Sequence, residues 1–419
     1  MLDRTIAPAF VEPKNFNLPE PDIVHLSNGS RFFFLAAGDQ PVIKLEFIFK
    51  AGSWFEAASG IGFFTGKMLT EGTSTFLSKD IAEILDQYGA FVEINPGFDY
   101  TNLTIHIPTL HFEKIESVLT DILFHPTFPD HELELMKQIQ IQQLLVNEQK
   151  NNFVAARMFR SNLYGNFPYG HVMTVDNIKN ISIDDLTTHF EQRIKGKFDV
   201  FLTGKFDAVF QSKIVQMFEN NLVPTNEFEN KTFRELNSFK KFSEKTDSLQ
   251  SAIFMGKRCV NKQHEKFTGV LLLNEVFGGY FGSRLMQNIR EEKGYTYGIN
   301  SHLVTMKNDA YFVLSSDVKK EFKDKTVEEI LKEIEKLKTE LIGMDELYQV
   351  KNYLKGSMLN SMTTPFALTE KLKNIYFYDL EVDFYKKLFD QIDQTTSEEL
   401  LILANEYLFD QPLSSIIVG

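Results

Sequence analysis

The sequence predicts a two-domain α+β chain: two homologous halves, each a mainly antiparallel sheet with helices packed on one side, related by internal duplication. Three observations predict it. The chain has 419 residues, more than one hydrophobic core commonly covers. Segments recur at a spacing near 205–215 residues: Tyr88–Asn95 (YGAFVEIN) matches Lys293–Asn300 (KGYTYGIN), and Ser182 begins a pattern that returns at Ser397. The two halves also share one order of apolar patterns.

In that order a strand comes first (Lys44–Lys50; Ser251–Gly256), then a helical stretch, a glycine turn and a second strand (Thr101–Ile107; Ala310–Ser316). A long helical segment follows (His111–Phe124; Glu321–Leu341), then further helices and a closing strand (Phe198–Gly204; Leu413–Gly419). In the second copy Val327, Ile330, Leu331, Ile334, Leu337 and Leu341 keep the spacing of one buried helical face, with Lys and Glu on the solvated side. The polar stretch Glu219–Thr246, with Pro224, marks the junction. The expected domains are therefore 1–222 and 246–419, with 223–245 as linker.

Composition narrows the function. Against 44 Lys and Arg stand 57 Asp and Glu, a net charge of −13. That opposes nucleic-acid binding, which needs a clustered positive surface. No run approaches the ~18 apolar residues of a membrane span. The single Cys259 excludes an internal disulfide or a thiolate cluster and fits a reducing compartment. Residues 1–21 show no apolar secretory core and are interrupted by Pro8, Pro13, Pro19 and Pro21. The expected address is the cytoplasm, or the periplasm if a leader has been removed.

The most informative stretch is Gly278–Asn300. A glycine turn (Gly278, Gly279, Gly282) leads into a short helix with Leu285, Ile289 and Met286 on its apolar side. Gly294 ends it, and Tyr295–Asn300 opens a strand. Arg290 falls in the last helical turn and Tyr297 in the following strand, so a guanidinium and a phenol project from adjoining elements toward one possible carbonyl or oxyanion. The turn is no phosphate loop: it lacks the G-x-x-x-x-G-K-[ST] order, and Lys293 lies too far on.

The run Gly282-Ser-Arg-Leu285, followed by Arg290-Glu-Glu-Lys-Gly-Tyr-Thr-Tyr297, resembles the second-domain signature of the pitrilysin/insulinase family of zinc peptidases, which includes the mitochondrial processing peptidase and core proteins of a respiratory complex. Peptide-cutting members carry H-x-x-E-H in the first domain. Its two His and a distant Glu hold zinc, and its own Glu is the general base. Here the corresponding stretch is Gly60–Thr73, and the three key positions are Phe63, Gly66 and Lys67. None can serve: Phe and Gly have no ligand atom, and Lys is a cation at neutral pH. The third-ligand position lands near Gln142–Gln143, again without a carboxylate. Among the nine His, only His106/His111 and His125/His131 lie close in sequence, and neither pair has helical i, i+4 spacing.

The resemblance therefore implies a zinc-less subunit of a two-chain peptidase, with no metal of its own. A homologous partner would bring H-x-x-E-H and the zinc, and this chain would bring Arg290 and Tyr297 in trans. Peptide substrates would be cut in a closed chamber only when the partner is present, and Ser283 and Arg284 would support helix packing. Two other readings fit the family. One is a structural or assembly subunit without turnover, and the other is a homodimer that shields peptides without cutting them.

Overall fold

The computed structural model describes residues 18–219 and 238–419. Strands β1 (Asp22–His25), β2 (Arg31–Ala36), β3 (Val42–Phe49), β4 (Phe91–Pro96), β5 (Thr101–Pro108) and β6 (Phe198–Gly204) form one sheet in the order β1-β2-β6-β3-β5-β4. Strands β7 (Lys240–Ser243), β8 (Gln250–Cys259), β9 (Thr296–Thr305), β10 (Ala310–Lys319) and β11 (Ser414–Val418) form the other, in the order β7-β11-β8-β10-β9. The duplication is thus written in the topology. β2 runs parallel to β6 as β7 does to β11, the other pairs are antiparallel, and β4 and β9 are the matching free edges.

The helices repeat in step. The first half carries α1 (Ile61–Lys67), α2 (Ser78–Gln87), α3 (Phe112–Phe124), α4 (Asp130–Glu148), α5 (Asn151–Tyr164), α6 (Val175–Asn180), α7 (Ile183–His189) and α8 (Ala208–Glu219). The second carries α9 (Phe267–Asn274), α10 (Lys323–Thr339), α11 (Met344–Asn360), α12 (Pro365–Phe377), α13 (Phe384–Gln394) and α14 (Ser397–Leu403). The recurring Ser182 and Ser397 patterns are helix starts. Ser182 accepts from the Asp185 amide, and in the second copy Thr396, one residue earlier, accepts from Glu399. Most of the connector expected at 223–245 lies outside the described residues, and its last part contains β7.

Alternation along the strands separates two faces. In β3, Ile43, Leu45, Phe47 and Phe49 enter the first half's own core with α1, α3 and α7, while Ile48 belongs to a cluster on the opposite face. That opposite face is closed by a helix from the other half. Leu372 of α12 packs on Phe33, Leu35, Ile48 and Phe201, and Phe377 stacks on Tyr100 with ring centres 4.5 Å apart. Reciprocally, Ala155, Phe159 and Leu163 of α5 pack on Ala252 of β8 and Ile416 and Val418 of β11. A Cβ on Gly256 would run into the Phe312 carbonyl of β10 and come within 3.0 Å of the Phe159 ring, so glycine lets β10 pair closely with β8 and α5 settle on it. Each half keeps its other helices to one face of its own sheet and covers the neighbour's sheet with one.

The sequence pattern over α10 needs one correction. Ile330, Ile334 and Leu337 are buried as expected, but Leu331 and Leu341 are 50% and 53% exposed. Leu331 sits one residue, about 100° of helix, beyond Ile330, and Leu341 lies past the helix end.

Candidate functional site

In the first half, α1 is fixed at its start by Glu56, whose Oε2 accepts from the Gly60 and Gly62 amides at 3.1 Å each. A buried carboxylate on those otherwise unpaired N–H groups is favourable both as a hydrogen bond and against the helix dipole. Nearby, His189 Nε2 meets the Ala51 carbonyl at 3.1 Å, and burial holds its pKa down at about 4.

The three positions of the altered zinc motif lie on α1, which packs against β4. Phe63 is half-buried with its ring edge-on to Phe64 at 5.4 Å. A Cβ at Gly66 would lie 3.1 Å from both Pro96 Cγ and Thr101 Cγ2, so the glycine lets helix and hairpin close together. Lys67 Nζ donates to the Ile94 carbonyl of β4. Gln142 and Gln143 are exposed on α4. Beside these residues a hollow of 550 Å³ opens between β4, α2 and α4, lined by Lys67, Phe91, Met136 and Ile139 among others. Among the described residues no group of three or more His, Cys, Asp or Glu could hold a metal ion. Aromatic ring, bare backbone and ammonium do not fit zinc, which takes thiolate, imidazole or carboxylate donors.

In the second half, α9 widens into a π-helical turn over Glu275–Gly279. Burial raises the Glu275 carboxyl to about 7, against one hydrogen bond from Asn274. After the turn at Tyr280–Gly282 the chain becomes helical again, ending in a π-helical stretch over Met286–Glu292. Two side chains anchor this piece. Arg284 makes a bidentate ion pair with Glu346 of α11, both contacts 2.8 Å, and Asn288 donates to Glu333 of α10 at 2.7 Å. Gly294 then takes a φ of +66°, Tyr295 N bonds back to the Ile289 carbonyl at 3.0 Å, and β9 begins.

Arg290 and Tyr297 are brought together as the spacing suggested, with one difference. The Arg290 Nε donates to the backbone carbonyl of Tyr297 at 3.0 Å, not to its phenol. The guanidinium carbon also lies 4.6 Å above the Phe281 ring, and Nη1 lies 3.6 Å from Glu291. The Tyr297 side chain stands away from this group, 94% exposed on the free edge β9. A hollow of 730 Å³ adjoins it, lined by Gly294, Tyr295, Thr296, Tyr297, Asp317 and Glu321 among others. Burial raises the Asp317 carboxyl above its ordinary range. Phe281, the platform beneath Arg290, was missed from sequence because it reads as one more turn residue between glycines. The altered zinc motif and the Arg/Tyr pair belong to different halves, one against β4 and the other at β9.

A duplicated α+β chain with Arg290 anchored beside the exposed Tyr297 in the second half and no zinc ligands at Phe63, Gly66 and Lys67 in the first defines a class of peptidase-like proteins. Residues 37–174 match the family described as "Insulinase (Peptidase family M16)", and residues 180–354 match "Peptidase M16 inactive domain". The chain belongs to the insulinase (M16) peptidase family. It is 26% identical over 353 residues to a Helicobacter pylori protein named "Non-peptidase homolog YmxG", covering 81% of this chain and 80% of that protein. It is 24% identical over 306 residues to a Bacillus subtilis protein named "Uncharacterized zinc protease YmxG", covering 73% of this chain and 75% of that one. The solved structure of a peptidase M16 inactive domain from Pseudomonas fluorescens superposes with a TM-score of 0.88 at 22% identity, covering 95% of this chain and 98% of that chain.

Proposed function

We propose that this chain is the zinc-less subunit of a two-chain zinc peptidase and supplies Arg290 and Tyr297 to the metal site of a homologous partner bearing H-x-x-E-H. The observation that carries the reading is a contrast. Arg290 is anchored beside the free sheet edge that carries the exposed Tyr297, while Phe63, Gly66 and Lys67 offer no zinc ligand. Hydroxide attack on a peptide carbonyl develops negative charge on its oxygen, and donors already aimed at that charge lower the barrier. Arg290 gives a permanently charged donor for a substrate carbonyl, and Tyr297 a neutral O–H for the developing oxyanion. An extended peptide added to a sheet edge is held by its main chain, so specificity follows size and side-chain pockets more than strict sequence. No helix among the described residues is long and apolar enough to cross a membrane.

The test is co-expression with an H-x-x-E-H-bearing homologue. The expected result is a stable complex that cleaves unstructured peptides, with neither chain active alone. Peptide cleavage by the isolated chain supplied with zinc contradicts the reading.

A further inference from the structure

A guanidinium is commonly fixed in place by a carboxylate, and three arginines of this chain follow that rule. Arg31 pairs with Asp199 at 2.6 Å, Arg258 with Asp309 at 2.6 Å and Arg284 with Glu346 at 2.8 Å. Arg290 is held differently. Its approach to Glu291 is 3.6 Å, and that carboxylate is half in solvent. The two groups that fix it carry no charge: the Tyr297 carbonyl accepts from Nε at 3.0 Å, and the Phe281 ring lies 4.6 Å below the guanidinium carbon. Nη2 has no hydrogen bond among the described residues. The turn that carries Phe281 is itself pinned on both sides. Tyr280 packs on Tyr353 of α11 with ring centres 4.6 Å apart, the Ser283 amide donates to the Tyr280 carbonyl at 3.1 Å, and Gln287 Nε2 donates to the Gly282 carbonyl at 3.1 Å. A Cβ on Gly282 would meet the Tyr280 ring at 2.7 Å, so glycine lets the turn close this tightly and present Phe281 outward, 62% exposed.

We infer that Phe281 is a positioning residue, whose ring holds the Arg290 guanidinium beside Tyr297 without neutralising it. A carboxylate fixes a guanidinium and cancels its charge in one step. A carbonyl and a ring face fix it and leave the charge to the ligand. An arginine left unheld has many rotamers and loses that freedom when it binds, which weakens its grip on a substrate carbonyl. Held as it is here, the group meets the carbonyl already oriented, with its Nη donors and its full charge at hand. Leucine at 281 would keep the apolar bulk but has no negative ring face, and tryptophan would give a stronger one. This rests on the two-chain reading above and assigns to that site a third side chain, one that acts through Arg290 and does not touch the reacting atoms.

The experiment has two arms. The first is the nitrogen–proton NMR spectrum of the full isolated chain labelled at arginine, with the Arg290 Nε–H signal identified by its loss in Arg290→Lys. That proton is expected upfield, over the ring, and Phe281→Leu is expected to move it downfield while Phe281→Trp keeps it upfield. The second is kcat/KM for peptide cleavage by the complex with an H-x-x-E-H-bearing homologue. Phe281→Leu is expected to lower it about two- to fivefold, the equivalent of ~0.5–1 kcal/mol, and Phe281→Trp to preserve it. In an Arg290→Ala background Phe281→Leu is expected to cause no further loss. An Nε–H signal indifferent to Phe281→Leu overturns the inference, as does a loss of rate that persists undiminished without Arg290. A complex that cleaves no peptide overturns the two-chain reading, and the spectrum of the isolated chain still decides whether Phe281 holds Arg290.

Discussion

Replacing Glu46 by Gln removes the carboxylate between two buried ammonium groups. Glu46 on β3 pairs with Lys373 of the crossing helix α12 and, at 2.9 Å, with Lys44, and the side chains of Lys44 and Lys373 are 9% and 7% exposed. Glu370, at 2.5 Å from Lys44 and 2.8 Å from Lys373, completes the group but is half in solvent. Removing one member of a buried ion pair commonly costs ~3–5 kcal/mol, because an uncompensated charge stays behind. Unfolding entropy near ~2.1 cal/mol/K per residue gives ~0.4 kcal/mol/K for a half of about 200 residues, so the midpoint should fall by ~7–12 °C. Scanning calorimetry at neutral pH measures it. The triple change Lys44→Met, Glu46→Met and Lys373→Met should recover most of the loss, since well-packed apolar groups replace buried pairs at little net cost. A fall below ~2 °C for Glu46→Gln refutes the idea that this network clamps α12 to the first sheet.

Other expectations follow from the same geometry. Phe159→Ala, which empties the contact of α5 on Gly256, should destabilise the chain by ~3–5 kcal/mol in denaturant titration. Burial opposes ionisation of Glu370, yet the Lys373 and Lys44 ammonium groups overcome it and hold the carboxyl below its ordinary value of 4.5. Its stabilising contribution is therefore present above that value and lost as pH falls through the lower folded value, which a Glu370→Gln comparison of melting against pH reads directly. His189, held neutral by burial down to about 4, adds a penalty that grows as pH falls from 6.5 toward 4, and His189→Gln should flatten the melting profile there. Restoring the motif letters with Phe63→His, Gly66→Glu and Lys67→His should give no tightly bound zinc after dialysis. No carboxylate is supplied at Gln142–Gln143, and Gly66 has contacts at 3.1 Å from its Cβ position.

Several levels of this organisation were legible in the sequence because they are local. Apolar patterning located β3, β5, β8 and β10, and the repeated YGAFVEIN and KGYTYGIN segments aligned the two copies, while their place at the free edges β4 and β9 appears only in the sheet order. The seven-residue step from Arg290 to Tyr297, across a helix stop at Gly294, put them on adjoining elements, but did not reveal the bond from Arg290 to the Tyr297 carbonyl in place of its phenol. The helix crossing was not legible. An apolar stripe such as Ala155, Phe159 and Leu163 states that a face is buried but not which sheet buries it, and the partners Ala252 and Ile416 lie about 100 and 260 residues away. Lys44 and Glu46 fall in the strand predicted from Lys44, and nothing local announces their buried partner Lys373.

The most direct measurement is kcat/KM for peptide cleavage by the proposed complex with an H-x-x-E-H-bearing homologue, carrying Arg290→Ala or Tyr297→Phe, with complex formation checked by sedimentation. The expected result is an intact complex whose rate falls ~10²–10³-fold for either change, the usual loss for one oxyanion donor. An intact complex that cleaves peptide at the unmodified rate with both substitutions present contradicts the proposal that this subunit donates to its partner's zinc site.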